Sequence, residues 1–116
     1  MNNRAVGTQF EQKAADYLST KGYQILAKNY RCKIGEIDLI AKDGAYLCFI
    51  EVKYRSGLSK GYPAEAITPY KIRRITRTAE FYMLFHKLPL DTPCRFDAVV
   101  ILDDEITLLK NAFDGI

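Results

Sequence analysis

Ionisable residues set inside strand-like runs constrain this chain more than any other feature. Gly35-Glu36-Ile37-Asp38-Leu39-Ile40 and Phe49-Ile50-Glu51-Val52-Lys53 both read as strands, yet each carries charge where a packed sheet takes apolar side chains. Such groups must be paired, hydrated or bound to a cation, because an isolated buried charge is strongly disfavoured. Alternation along a strand points Glu51 and Lys53 to one side, and likewise Glu36, Asp38 and Ile40. Between the runs lies Asp43-Gly44, a strong hairpin signal. With Asp43-Gly44 as a two-residue turn, Lys42 pairs with Ala45, Ile40 with Leu47, Asp38 with Phe49 and Glu36 with Glu51. That register gathers Glu36, Asp38, Glu51 and Lys53 on one face, with Asp38 and Glu51 as diagonal neighbours about 6–8 Å apart at Cβ. Two acids so placed suit one shared divalent cation. A one-residue change in loop length would destroy this parity.

A chain of 116 residues that is 48% hydrophobic and 27% charged has the profile of one globular domain, expected over 1–116. The longest apolar run, Ala45–Ile50, is too short to cross a bilayer, and Met1–Leu18 lacks the apolar core of a signal peptide. A cytoplasmic protein with no membrane partner is therefore expected. Cys32, Cys48 and Cys94 are widely spaced, and His86 is the only histidine. That inventory argues for reduced thiols and against a zinc site. The net charge of +3 is unevenly spread. Lys53, Arg55, Lys60, Lys71, Arg73, Arg74 and Arg77 face the single acid Glu65 across one stretch, leaving the remainder at −3. Arg55, Lys60, Lys71, Arg73, Arg74 and Arg77 are the candidate nucleic-acid-binding set, since a basic segment beginning at an acidic site can lead a polyanion to a metal. A solvated helix face would give the same count.

Periodicity predicts a helix over Thr8–Thr20 with an apolar stripe of Phe10, Ala14, Tyr17 and Leu18, stopped by Lys21-Gly22. Glu11 lies about 20° from Leu18 on a helical wheel, at the stripe's edge. It therefore either aims at the strand acids or serves as a solvent acid in the first turn. Tyr23–Asn29 reads as a strand, which Asn29–Lys33 continues or turns. Arg55–Tyr62, with its glycines and serines, reads as a loop. A second helix is capped by Thr68, has Pro69 at its first position and ends at Leu88-Pro89, with Ala64–Ile67 as a preceding turn. Its expected buried stripe is Ile72, Ile75, Ala79, Tyr82, Met83 and His86, the last closing the helix rather than acting as a base. Ala98–Leu102 is an unbroken apolar run suited to a strand covered on both faces, and Ile106–Leu109 returns after Asp103-Asp104. The α-β-β-β-α-β-β order predicts an α/β domain with a mixed sheet flanked by helices.

Asp38 and Glu51, with Lys53 at E-x-K spacing, make a recognisable arrangement for phosphodiester hydrolysis. Hard carboxylate oxygens suit Mg²⁺ or Mn²⁺, which stabilises phosphoryl charge and acidifies a bound water. Lys53 is placed to orient that water or to neutralise the transition state. E-x-K alone recurs by chance, and an ion pair of Lys53 with Glu36 or Glu51 is the plain structural alternative.

Asp38 followed by Glu51-Val52-Lys53 resembles the signature of the PD-(D/E)xK nuclease superfamily. The wider set of Glu11, Ala15, Tyr17-Leu18, Gly22-Tyr23, Asn29-Tyr30-Arg31, Gly35 to Ile40, Ile50 to Arg55, Lys71, Arg95-Phe96-Asp97 and Asn111-Ala112-Phe113 resembles the uncharacterised bacterial YraN-like family. That family is similar in fold to archaeal Holliday-junction resolvases, metal-dependent endonucleases that act as dimers on branched DNA. The resemblance implies a restriction-endonuclease-like fold, a Mg²⁺- or Mn²⁺-dependent DNA endonuclease acting on branched or recombination-related DNA, and a homodimer. It implies Glu11, Asp38, Glu51 and Lys53 as catalytic residues, with Asp38, Glu51 and Glu11 as metal ligands. Glu36 matches the pattern as an acid supporting the site from outside it, and Asp97 reads as structural. Phe10 stands where many relatives carry glycine. Two other readings are a non-catalytic nucleic-acid-binding module that keeps the nuclease fold and a small interaction protein whose acids only stabilise the hairpin.

Overall fold

Seven elements succeed one another in the expected order in the computed structural model, which describes residues 3–56 and 67–115, with side chains from Gln9 onward. They are α1 (Asn3–Thr20), β1 (Gln24–Arg31), β2 (Glu36–Asp43), β3 (Tyr46–Arg55), α2 (Pro69–Phe85), β4 (Cys94–Leu102) and β5 (Glu105–Leu109). Lys60, Glu65, most of the expected Arg55–Tyr62 loop and most of the Ala64–Ile67 turn lie outside the described residues. Helix α1 begins at Asn3 rather than at Thr8.

The five strands form one mixed sheet in the order β1-β2-β3-β4-β5. Only β3 and β4 run parallel, and the crossover between them passes through α2, as parallel neighbours require. Each face of the sheet is covered. Ala14, Ala15 and Leu18 of α1 pack on Leu39, Ala41, Cys48, Ile50, Val99 and Ile101. Ile75, Ala79 and Tyr82 of α2 pack on Ile37, Ile40, Leu47 and Phe49 across the sheet. Strand β4 is buried from Asp97 to Ile101, which accounts for its continuous apolar run. Ile75 and Tyr82 lie in the expected stripe of α2, but His86 is exposed at the helix C-cap and does not belong to it. Thr78 is buried in its place, its hydroxyl donating back to the Arg74 carbonyl at 2.8 Å.

The hairpin between β2 and β3 is antiparallel but displaced from the expected register. Asp43 pairs with Tyr46, Lys42 with Leu47, Ile40 with Phe49 and Leu39 with Ile50, so Gly44-Ala45 forms the loop. Gly44 takes φ +61 at the first central position, as hairpin turns of type II′ do, and Asp43 stays in the strand. The displacement is by two residues, so the facing parity survives.

Asp97, fully buried, ties the far end of the sheet together. Its carboxylate accepts from Tyr23 Oη at 2.8 Å, Arg95 Nε at 2.8 Å, Arg95 Nη2 at 2.9 Å and the Asn111 amide at 2.9 Å. Arg95 also reaches Asp43 at 2.7 Å beside the hairpin turn. Burial alone would raise the Asp97 pKa, but the bonds from Arg95, Asn111 and Tyr23 outweigh it and hold the group below its ordinary 3.8. The resulting stabilisation is fully present above 3.8 and is lost as pH falls through the depressed folded value. Asp97→Ala should therefore cost about 3 kcal/mol near neutral pH, because it strands buried partners. In urea unfolding the gap to wild type should narrow as pH falls below about 4. A cost under about 0.5 kcal/mol, or a gap that ignores pH, would contradict this role.

Candidate active site

The paired register of β2 and β3 ends at Leu39 and Ile50, and the candidate site lies just beyond that last pair. There Asp38 Oδ2 accepts a hydrogen bond from the Val52 amide at 2.8 Å, so a side chain serves a backbone donor of β3. The strict alternation expected along β2 fails at this point. Ile37 and Ile40 both pack on the α2 side although an odd number of positions separates them, and Ala27 and Tyr30 of β1 do the same. Asn29 and Asp38 stand between the pairs Lys28–Leu39 and Tyr30–Ile37, and Asn29 has φ +54. A left-handed residue within a strand rotates the next side chains to the other face. Glu36, Asp38 and Ile40 therefore do not form a single facing row, in contrast to the simple parity argument.

Strand β3 alternates regularly, and its acid and lysine face α2. Glu51 is buried, and its Oε1 receives Lys71 Nζ from α2 at 2.6 Å and Lys53 Nζ at 3.2 Å. The two ammonium groups differ. Desolvation, together with the nearby Lys71 cation, pulls Lys53 below the ordinary lysine value despite Glu51. Desolvation also works against Lys71, but the Glu51 carboxylate more than offsets it and raises that pKa. Lys71 is thus a fixed cation, and Lys53 is the lysine better able to give up a proton.

Glu11 projects from α1 to the same place. Its Oε2 is buried with no hydrogen-bond partner among the described residues. Burial raises its pKa, while neighbouring Asn29 and Asp38 work the other way. Asp38 is pushed up to about 8, first by burial, then by the Glu51 carboxylate and, more weakly, by Glu11. Among the described residues no group of three or more Asp, Glu, His or Cys side chains stands close enough to be a ready metal centre. The donor chemistry nonetheless fits a hard cation: an Asp38 carboxyl whose proton affinity is raised by burial and by the Glu51 and Glu11 carboxylates, a buried Glu11 oxygen without a hydrogen-bond partner among the described residues, and two lysines on the acid of β3.

The remaining candidates divide. Glu36 stands at the rim, half exposed and paired with Arg31 at 2.9 Å. Lys71 and Arg74 line a cleft of about 560 Å³ beside the acids. Arg73 is exposed on α2, Arg77 is engaged by Glu80, and Arg55 turns its Nη1 to the Tyr54 carbonyl at 2.8 Å. None of these three lines the cleft. Two contributors escape a reading of the sequence. Asn29 sits beside Glu11, and its signal is an asparagine, tolerant of left-handed backbone, inside a strand pattern. Lys71 reads in sequence as a phosphate contact and a family landmark, and no spacing rule links it to Glu51.

The profile of the uncharacterised protein family UPF0102 matches residues 10–101, and this chain belongs to that family. It is 59% identical to a UPF0102 protein of Lachnoclostridium phytofermentans, over 99% of this chain and 98% of the relative. It is 44% identical to one from Caldicellulosiruptor saccharolyticus, over 97% and 100%, and 48% identical to one from Chlorobium limicola, over 86% and 77%. Among the described residues no helix is long and apolar enough to cross a membrane.

The raised Asp38 pKa carries a sign that can be tested. Between its ordinary 3.8 and about 8 the folded state keeps a proton that the unfolded state releases, so stability attributable to Asp38 falls as pH rises. Asparagine can still accept from Val52 and bears no such charge. From about pH 5 to pH 8, Asp38→Asn should gain on the order of 1–2 kcal/mol over wild type in metal-free thermal unfolding. Parallel pH curves for the two proteins would refute the crowding of acids described here.

Proposed function

We propose that this chain is a Mg²⁺- or Mn²⁺-dependent DNA endonuclease of the PD-(D/E)xK superfamily, with a restriction-endonuclease-like fold and branched or recombination-related DNA as its substrate. The observation that carries the reading is the convergence, at the end of the β2–β3 ladder, of Glu11, Asp38 and Glu51 with a lysine of lowered pKa. The element order and the resemblance to resolvases support it further. Asp38 and Glu51 would hold the cation, with Glu11 beside them, and the bound ion would neutralise phosphoryl charge and make its water a better nucleophile. Lys53 would orient the attacking water, and because burial destabilises its ammonium it is neutral more often than an ordinary lysine, which is the form that can accept the water's proton. Lys71 has to leave Glu51 Oε1 for that oxygen to serve as a ligand, and its half-exposed side chain has the cleft to move into. Lys71 and Arg74 present positive charge to a phosphate backbone entering from that side.

One observation favours a second reading. Glu51 Oε1 already carries two ammonium groups, which satisfies the acid without a metal, as in a nucleic-acid-binding module that keeps the fold and does no chemistry. Single-turnover cleavage of labelled four-way and flap DNA in Mg²⁺ or Mn²⁺ separates the two. For the enzyme, Lys53→Ala should lower the rate about 100- to 1000-fold while DNA affinity changes little. Asp38→Asn and Glu51→Gln should weaken metal binding and abolish cleavage. Wild-type protein that binds DNA but never cleaves it belongs to the second reading. Equal rates in wild type and Lys53→Ala would place the chemistry elsewhere.

A further inference from the structure

The cleft beside the acids is built unlike a surface that merely attracts a duplex. It has a volume of about 560 Å³ and lies between the chain joining β1 to β2 and the first turns of α2. Among the described residues that line it, Arg31, Lys71 and Arg74 supply three cations against the acid Glu36. Tyr70, on the same wall, is 62% exposed and contributes nothing to either core cluster. Arg74 lies against that ring: its guanidinium is 5.8 Å from the ring centroid, and Nη1 donates to Tyr70 Oη at 3.0 Å. Gly35 lets the opposite wall approach, since a Cβ there would come within 3.1 Å of Thr78 Oγ1 and 3.4 Å of Arg74 Nε.

We infer that this cleft seats one unstacked nucleotide of a single-stranded segment, its base on Tyr70 and its phosphate among Arg31, Lys71 and Arg74. The volume falls within the range of about 300–1,000 Å³ that small-molecule sites occupy, whereas a duplex engages proteins over an open surface. A lone exposed tyrosine is ordinary on any protein surface. Here it stands beside an arginine that bonds its hydroxyl, in a concave basic site, one residue from the lysine that touches Glu51. Stacking platforms next to cationic grooves are how single strands are held without sequence preference. The inference rests on the nuclease reading for the chemistry beyond the cleft, and it narrows the substrate to nucleic acid with an unpaired stretch next to the scissile bond.

The test is fluorescence anisotropy in excess EDTA, so that binding is read without cleavage. The probes are a labelled oligothymidylate of about twelve nucleotides, the matching oligouridylate and a duplex of equal length, with free thymidine monophosphate as competitor. Tyr70→Ala should weaken single-strand binding about 5- to 150-fold and leave duplex binding within about twofold, while Tyr70→Phe retains the stack and stays near wild type. Tyr70 is exposed, and an unchanged Tm verifies that the variants fold. Loss on either the DNA or the RNA strand supports the inference. Equal losses on strand and duplex, no loss at all, or free monophosphate competing as well as the oligomer would overturn it. Metal-dependent cleavage without a Tyr70 effect would sink this inference and leave the nuclease reading intact. A Tyr70 effect without cleavage would do the reverse.

Discussion

Asp38 stands where β2 and β3 stop pairing, and its carboxylate takes over the Val52 amide that the ladder no longer serves. A backbone donor cannot be left unsatisfied inside a sheet without a cost of about 1–3 kcal/mol, so an acceptor oxygen at this spot is structurally required, and a carboxyl group there is chemically useful as well. The same hydrogen bond holds an acid next to Glu51 and within reach of Glu11. Asn29, in its left-handed conformation on the neighbouring strand, turns β1 at the same level and borders the Glu11 carboxyl group. The opening of the sheet and the assembly of the acids are one structural event.

Charge balance around that event explains the unusual lysines. Glu11, Asp38 and Glu51 face Lys53 and Lys71, so full ionisation would leave one negative charge in excess in a poorly hydrated space. A proton on Asp38 meets that excess: burial, then the Glu51 and Glu11 carboxylates, raise Asp38, while burial and the Glu36 charge raise Glu11. A divalent cation would meet the excess instead, and would favour release of that proton. Lys53 and Lys71 share one carboxylate oxygen yet shift in opposite directions. Their separate roles in the proposed chemistry arise from that difference.

Much of the architecture is legible in the sequence because it rests on periods of two and 3.6. The order of elements, the Thr68 cap with Pro69, the doubly covered β4 run and the shared face of Glu51 and Lys53 all come from pattern and local chemistry. The hairpin register is not legible, because Asp43-Gly44 and Gly44-Ala45 are both acceptable loops. Arg95 of β4 and Lys110, just past the end of β5, engage Asp43 and favour keeping it in the ladder. Parity survives only because the displacement is an even number of residues. The face switch at Asn29 and Asp38 escapes a rule that assumes uniform strands. Lys71 on Glu51 and the Asp97 network depend on contacts between elements far apart in sequence, which no local spacing encodes.

On the proposed reading, the end of the β2–β3 ladder seats a divalent cation, and Lys71 closes that seat when the cation is absent. Crystals grown with and without Mn²⁺ and measured at the manganese absorption edge test this directly. The expected result is one anomalous peak in contact with Asp38 and Glu51, near Glu11, with the Lys71 ammonium withdrawn from Glu51 Oε1. An unaltered Lys71–Glu51 pair with no peak at that position, under saturating Mn²⁺, would contradict it.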